Sequence, residues 1–377
     1  MRIALLTDGI FPYVVGGMQK HSYHLAKQLA QNNHTVYLFH CNESTYDANK
    51  LEFFTAEERK NIRSFVIPFP HKRYYPLHYI TESRQYSGAI YDALLPLLSE
   101  TDFIFVQGFC GWELLNRKDD KTPPVAVHFH GYEMYQQIPT LKSKLSSFFL
   151  RNAVQENLNS TDYTISFGGK ITSILKQLVP AKKIWEVPGG IEQEWITESI
   201  KPIEDKVKFV FLGRYERRKG IPELNKTIKE LLPNNNFTFD FIGDIPEEHK
   251  INSALLRYHG KLSSEAEIKK ILSQCDILVS PSYAEGLPIS IMEAMAQGLA
   301  IIATDVGSVS TLVDSSNGWL LPTPFPEVIA VAMRSAIREK DKLQSKKESS
   351  VKKIKEGFLL ESATNKLIGL MEQHIKR

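Results

Sequence analysis

The chain has 377 residues, too many for one ordinary core and suited to two domains of roughly 150 residues with extra helices. Hydrophobic residues make up 42% and charged residues 24%, the profile of a folded globular protein rather than a disordered or fibrous one. Its 46 basic and 43 acidic side chains leave a net charge of +3, which gives no electrostatic reason to expect a nucleic-acid partner.

In chain order, β-branched or aromatic runs alternate with helical patterns. Strands are predicted at Ile3–Thr7, Thr35–His40, Ile62–Ile67, Asp102–Val106, Pro124–Phe129, Asp162–Ser166 and Lys183–Val187. They continue at Lys208–Leu212, Phe237–Ile242, Asp276–Ser280 and Leu299–Ala303. Helical spacing fills Gln19–Ala30, Leu141–Leu158, Pro222–Leu232, Glu265–Gln274 and Ile289–Ala296, and a Lys/Glu-rich helical tail follows Lys340. This rhythm implies an α/β fold of two doubly wound, Rossmann-like parallel sheets with right-handed crossovers. The turn Pro188-Gly189-Gly190 divides residues 1–188 from the second domain, 189–353. Cys41, Cys110 and Cys275 lie far apart with no CxxC pair, which suits a reducing compartment. No apolar run reaches about 18 residues and no signal peptide is evident, so the expected location is cytoplasmic or the cytoplasmic face of a membrane.

Ligands of open α/β sheets bind at the carboxyl ends of strands, so the chemistry is sought at strand-to-helix junctions. After the first strand, Gly16-Gly17 opens a helix. There, backbone N–H groups can approach an anion closely, although a plain turn would use the same residues. After Pro124–Phe129, His130-Gly131 places an imidazole at a strand-to-loop corner, as a ligand contact or as a structural histidine. After Lys208–Leu212, Gly213-Arg214-Tyr215-Glu216-Arg217-Arg218-Lys219-Gly220 holds cations suited to a diphosphate. Arg214 and Lys219 are the favoured pair, while Arg217 and Arg218 are expected to be solvated. After Asp276–Ser280, Glu285 and Glu293 flank a helix start at Pro288. From there both carboxylates can reach one ligand and accept sugar hydroxyls, though Glu285 alone is also a plausible cap. No HExxH, Cys/His cluster or Asp-x-Asp pair argues for a metal.

Together these motifs resemble the retaining, nucleotide-sugar-dependent glycosyltransferases of family 4, which have the GT-B fold. The likeness is strongest across Val207–Gly318, including Ala303-Thr304-Asp305-Val306-Gly307, and looser in the first half. The resemblance implies that amides at Gly16-Gly17, with Arg214 and Lys219, hold the donor diphosphate. Glu293 would bind the ribose, and Glu285 a hydroxyl of the donor sugar. His130 would contact the sugar's far hydroxyl or support the reacting face, and the amides of Leu287 and Ile289 would touch sugar or phosphate. The loop Tyr258–Leu262, through Leu262, would meet the base. Two positions depart from the family pattern: Gly189-Gly190-Ile191-Glu192 stands for Asn-Gly-Val-Asp, and Thr311 stands for a glutamate. The final helices, 354–377, are expected to cross back onto the first domain.

The implied activity is metal-free and cofactor-free hexosyl transfer from a nucleoside diphosphate sugar to a glycan or lipid-linked acceptor. Substitution would occur on the same face, and the Glu-Gly-Leu-Pro form leans towards uridine diphosphate. A nucleotide-sugar epimerase and a catalytically silent sugar-nucleotide-binding subunit are the competing readings. Basic and aromatic residues at His71–Tyr79, and Phe148 and Phe149 beside Lys142, Lys144, Leu145 and Arg151, suggest peripheral contact with the inner face of the plasma membrane. A loop and a core-facing helix would explain them equally.

Overall fold

The computed structural model describes residues 1–375 apart from 15, 71–77, 138–140, 235 and 263. Two all-parallel sheets carry the fold. The first contains β1 (Arg2–Leu6), β2 (Thr35–His40), β3 (Ile62–Val66), β4 (Phe103–Gln107), β5 (Val125–His128), β6 (Tyr163–Ser166) and β7 (Ile184–Glu186). Its order is β3-β2-β1-β4-β5-β6-β7. The second contains β8 (Val207–Leu212), β9 (Phe237–Ile242), β10 (Leu256–Tyr258), β11 (Ile277–Ser280), β12 (Ala300–Thr304) and β13 (Gly318–Leu321), in the order β10-β9-β8-β11-β12-β13. The eleven predicted strands are present within a residue or two of their expected ends.

The strands are apolar on both faces because helices cover both faces. In the first sheet Ile3, Leu5 and Phe105 belong to one core, while Ala4, Leu6 and Val106 belong to the opposite one. In the second, Phe209, Phe239 and Ile302 pack below, and Val210, Ile301 and Ala303 pack against the helix Ile289–Ala296.

Strand order reverses at the β1/β4 pair, aligned Leu6 to Val106, and at the β8/β11 pair, aligned Leu278 to Val210. A crevice opens beyond the carboxyl ends of strands at each reversal. The four junctions singled out in the sequence follow β1, β5, β8 and β11, at or beside these reversals, so topology alone gathers them at the crevices.

Two strands were missed. β10 is a three-residue edge, and β13 begins with Gly318 in a polar stretch. The helix His78–Leu94 also escaped notice, because Glu82, Ser83 and Ser87 share its buried face with Tyr86 and Ile90 and blur the apolar period.

The helix Lys340–Gly357 packs on the second sheet through Leu343 and Ile354, and then the chain crosses. The helix Leu360–Gln373 puts Leu367, Ile368 and Met371 into the first core beside Leu25 and Leu29, as expected for the returning tail. Two passages between the lobes run side by side. The Ile191 amide donates to the Phe358 carbonyl, and the Leu360 amide donates to the Ile191 carbonyl, both at 2.9 Å. Gly190 permits this approach, since a Cβ there would stand 2.4 Å from the Leu360 Cα. All three cysteines are buried and unpaired, and no helix among the described residues is long and apolar enough to cross a membrane.

Candidate active site

A cavity of about 450 Å³ lies between the two sheets, walled by both lobes. Gly16, Gly17 and His130 line it from the first lobe, and Arg214, Glu285, Leu287, Ile289 and Glu293 from the second. These eight predicted site residues therefore share one space.

The helix Gly17–Gln31 aims its amino end, with free N–H groups and positive dipole, into this space. The Ile289 side chain closes to 3.4 Å from where a Gly17 Cβ would sit, so the two lobes touch here.

The loop after β8 ends in a short 3-10 turn, Arg217–Lys219, and Gly220 follows with φ 70°. A side chain at Gly220 is doubly barred, because its Cβ would meet the Pro281 carbonyl at 2.0 Å. This contact locks the basic loop against the Glu285 loop. Lys219 Nζ stands 2.5 Å from Glu285 Oε1, and Arg218 Nη1 stands 3.1 Å from Oε2. Ser282 Oγ donates to Oε1 at 2.7 Å. Burial by itself would raise the Glu285 pKa, but Lys219 and Arg218 outweigh it and hold the carboxyl below its ordinary value.

The expectation for Arg218 is thus corrected. It is not solvated but sits with its guanidinium between Glu285 and Glu216, 2.7 Å from the latter. Arg217 is also engaged: it makes a two-pronged pair with Glu223 and lies over the Tyr283 ring. Arg214, the favoured guanidinium, lines the cavity but is 78% exposed and pairs with Glu216 at 3.0 Å. Charge runs are read poorly from sequence because strand-end geometry, not composition, selects which cation turns inward.

Glu293 sits in the second turn of the helix Ile289–Ala296, with Ile291, Met292 and Met295 buried on the sheet side as expected. No described residue hydrogen-bonds its carboxylate. Burial raises its pKa to about 7, with Lys20 and Lys269 opposing and Glu265 adding to the rise. Leu262 does not line this cavity. It lines another one with His259 and Asp240, whose imidazole and carboxylate are 2.6 Å apart.

His130 follows β5 with φ 57°, a left-handed conformation rarely taken by a side-chain-bearing residue. Its ring stacks on His128 with centroids 3.9 Å apart, and His21 meets it edge-on at 4.9 Å. Burial drives the pKa of both His128 and His130 well down, so they are neutral. Nitrogens of His21, His128 and His130 lie within 4.8 Å of one another, a spacing close enough for metal ligands. A zinc ion needs lone pairs that meet at one point about 2 Å from each nitrogen. Stacked rings at an interplanar angle of 24° confine their in-plane lone pairs to two nearly parallel planes that do not meet at such a point, so the set is arranged for packing rather than chelation.

Several bonds span the lobes. Lys20 Nζ pairs with Glu265 at 2.7 Å, Gln136 Nε2 donates to the Glu285 carbonyl at 2.6 Å, and Lys170 pairs with Asp305 at 2.9 Å. Gly307, at φ 55°, allows the Glu285 carbonyl within 2.1 Å of its would-be Cβ. Thr311, the departure from the family's glutamate, bonds the Ser308 carbonyl and crowds Gly168.

Two family models match in tandem: "Glycosyltransferase Family 4" over residues 15–195 and "Glycosyl transferases group 1" over 193–353. The chain belongs to glycosyltransferase family 4. It is 30% identical over 132 residues to the putative teichuronic acid biosynthesis glycosyltransferase TuaC of Bacillus subtilis, a match covering 35% of this chain and 33% of that protein. It is 27% identical over 185 residues to the N,N'-diacetylbacillosaminyl-diphospho-undecaprenol alpha-1,3-N-acetylgalactosaminyltransferase of Campylobacter jejuni, covering 46% and 48%. The shared stretches thus span a third to a half of these two relatives. Anabaena Alr3699/HepE, solved in complex with UDP, superposes with a TM-score of 0.71 at 15% identity over 99% of this chain and 100% of that one, which establishes the GT-B fold.

Four contributors were not singled out from the sequence: His21, Gln107, Gln136 and the Lys20–Glu265 pair. Only His21 carries any signal, lying four residues after Gly17 on the helix that opens into the cleft. The others are ordinary polar residues whose roles depend on the opposite lobe or a neighbouring strand.

Proposed function

We propose that this chain transfers a hexosyl unit from uridine diphosphate hexose to a hydroxyl of a glycan or lipid-linked acceptor, with retention of anomeric configuration. The observation that carries this reading is the convergence of Arg218, Glu285 and the amino end of the helix Gly17–Gln31 in one cavity between the lobes, with Lys219 behind its wall, paired to Glu285. The reaction's transition state is oxocarbenium-like, with negative charge growing on the departing diphosphate. Lys219, Arg214 and the helix amides stabilise that charge, an electrostatic contribution of about 3–4 kcal/mol for a single well-placed donor.

Lys219 and Glu285 neutralise one another in this structure. On donor binding the diphosphate shares Lys219, and Glu285 turns from a counter-ion into an acceptor for a sugar hydroxyl. Glu293 accepts from the ribose. No protein nucleophile takes part: the acceptor attacks on the face the diphosphate leaves, and the leaving phosphate takes its proton. Closure of the lobes across Gln136 and Gly286 excludes water and so limits donor hydrolysis.

The UDP carried by HepE and the undecaprenol-linked acceptor named for the Campylobacter relative favour the uridine donor and the lipid-linked acceptor. Phe148 and Phe149 are exposed on the helix Leu141–Ser160 and offer an apolar contact for a membrane face. The side chains of Lys142, Lys144 and Leu145, and all of residues 71–77, lie outside the described residues.

The test is a thermal-shift panel of UDP, GDP, ADP and their hexoses. A ligand at a hundredfold excess over its Kd stabilises the folded chain by about 2.7 kcal/mol. A uridine-specific shift supports the reading, and no shift with any nucleotide sinks it. Release of free UDP from UDP-hexose during turnover separates a transferase from an epimerase, which releases none, and from a silent binding subunit, which turns nothing over.

A further inference from the structure

Gln107, the last residue of β4, is fully buried and lies between two of the cleft's imidazoles. Its Oε1 is 2.6 Å from His130 Nε2, and its Nε2 is 2.9 Å from His21 Nδ1. An amide has one accepting end and one donating end, so the two nitrogens facing it must be opposite in kind. The ring on the oxygen presents an N–H, and the ring on the NH2 presents a lone pair. A neutral imidazole carries a single N–H, so this contact fixes each ring's remaining nitrogen as well. Stacking on His128 holds the plane of His130, and no described residue bonds His130 Nδ1.

We propose that Gln107 is a positioning residue that couples the tautomers of His21 and His130, so that His130 keeps its proton on Nε2 and offers Nδ1 to a donating hydroxyl of the donor sugar. The sugar contact rests on the reading of the cleft as a nucleotide-sugar site; the coupling of the two rings does not. In consequence His130 is a hydrogen-bond acceptor towards the sugar and gives it no proton. The carboxamide suits the end of an apolar strand because neither leucine nor an ionised glutamate can present one acceptor and one donor to the two rings.

The coupling is read directly by long-range proton–nitrogen correlation spectra of the 15N-labelled full chain, with rings assigned from single His→Gln variants. In the wild-type protein His130 and His21 should both be protonated on Nε2. Gln107→Glu, recorded at a pH high enough to ionise the new carboxyl so that both its oxygens accept, should move the His21 proton to Nδ1 and leave His130 unchanged. Gln107→Leu should leave His130 as a mixture of tautomers. A wild-type His130 protonated on Nδ1, or a His21 unmoved in Gln107→Glu, overturns the coupling.

The sugar contact is read by titrating UDP and UDP-glucose. Gln107→Leu should weaken UDP-glucose by about three- to tenfold, the worth of one neutral hydrogen bond, and leave UDP within about twofold. Equal losses for both ligands, or none for either, would mean a merely structural glutamine and overturn the proposal. If the wild-type chain binds neither ligand, the donor reading falls and the sugar contact with it, while the spectra still decide the coupling.

Discussion

Replacing Gly286 by alanine tests whether the two lobes must meet at their present distance. The added Cβ would stand 2.1 Å from the His130 carbonyl oxygen, 2.9 Å from its carbon and 3.1 Å from the Gly131 Cα, where ordinary contact begins at 3.4 Å. All three atoms are backbone on the opposite lobe, so no side chain can swing away. The seam must open by about 1 Å, which also stretches the 2.6 Å bond from Gln136 to the Glu285 carbonyl. Held shut, the overpacked contact would cost about 1–3 kcal/mol. Because the seam lies between lobes, opening relieves most of that cost, so the melting temperature should fall little. Activity should fall much more, since a misplacement of about 1 Å between reacting groups costs on the order of a hundredfold. Measured as UDP release from UDP-hexose with acceptor, kcat/KM should drop about a hundredfold, with UDP affinity changing far less. Wild-type kcat/KM in Gly286→Ala would refute the reasoning that closure at this seam assembles the site.

Lys219→Ala should reduce kcat by about a hundred- to a thousandfold, and Arg218→Ala should act mainly through Glu285, raising the carboxyl's pKa and shifting the acid limb of the pH–rate profile upward; an unshifted limb argues against that role. Glu293 titrates near pH 7 in the free protein, ionised above and neutral below. If only the carboxylate grips the ribose, UDP affinity should rise up to about tenfold from pH 6 to pH 8 and flatten in Glu293→Gln, which calorimetric titration checks. Lys347 and Asp276 form a buried pair at 2.9 Å, 1% and 4% exposed, that ties the helix Lys340–Gly357 to the second sheet. Lys347→Ala leaves Asp276 uncompensated and should cost about 3–5 kcal/mol in urea unfolding; a loss under about 1 kcal/mol would show that water reaches the carboxylate.

The sheets were legible because parallel strands buried on both faces are continuous apolar runs, and Glu285 with Glu293 was legible because Pro288 dates the helix start. What the sequence hid follows from the same physics. Arg218 and Arg214 are equivalent by composition, and only the turn of the chain at Gly220 brings Arg218 against Glu285. Gln107 closes a hydrophobic strand and carries no pattern of its own; its meaning comes from His21 and His130, which are 86 and 23 residues away. Leu262 belongs to a loop that lines a separate cavity with His259 and Asp240, and the sequence cannot say which cavity a side chain enters.

The paired passages at Ile191 and Leu359–Leu360 have a mechanical meaning. Two strands of chain bonded together along a short length behave as a single pin: they let the halves swing but resist their sliding past each other. Any swing of the two halves about that pin would part Gly17 from Ile289, Lys20 from Glu265 and Gln136 from Glu285 in the same stroke. The contacts along the rim are therefore not independent: breaking one loosens the hold of the others.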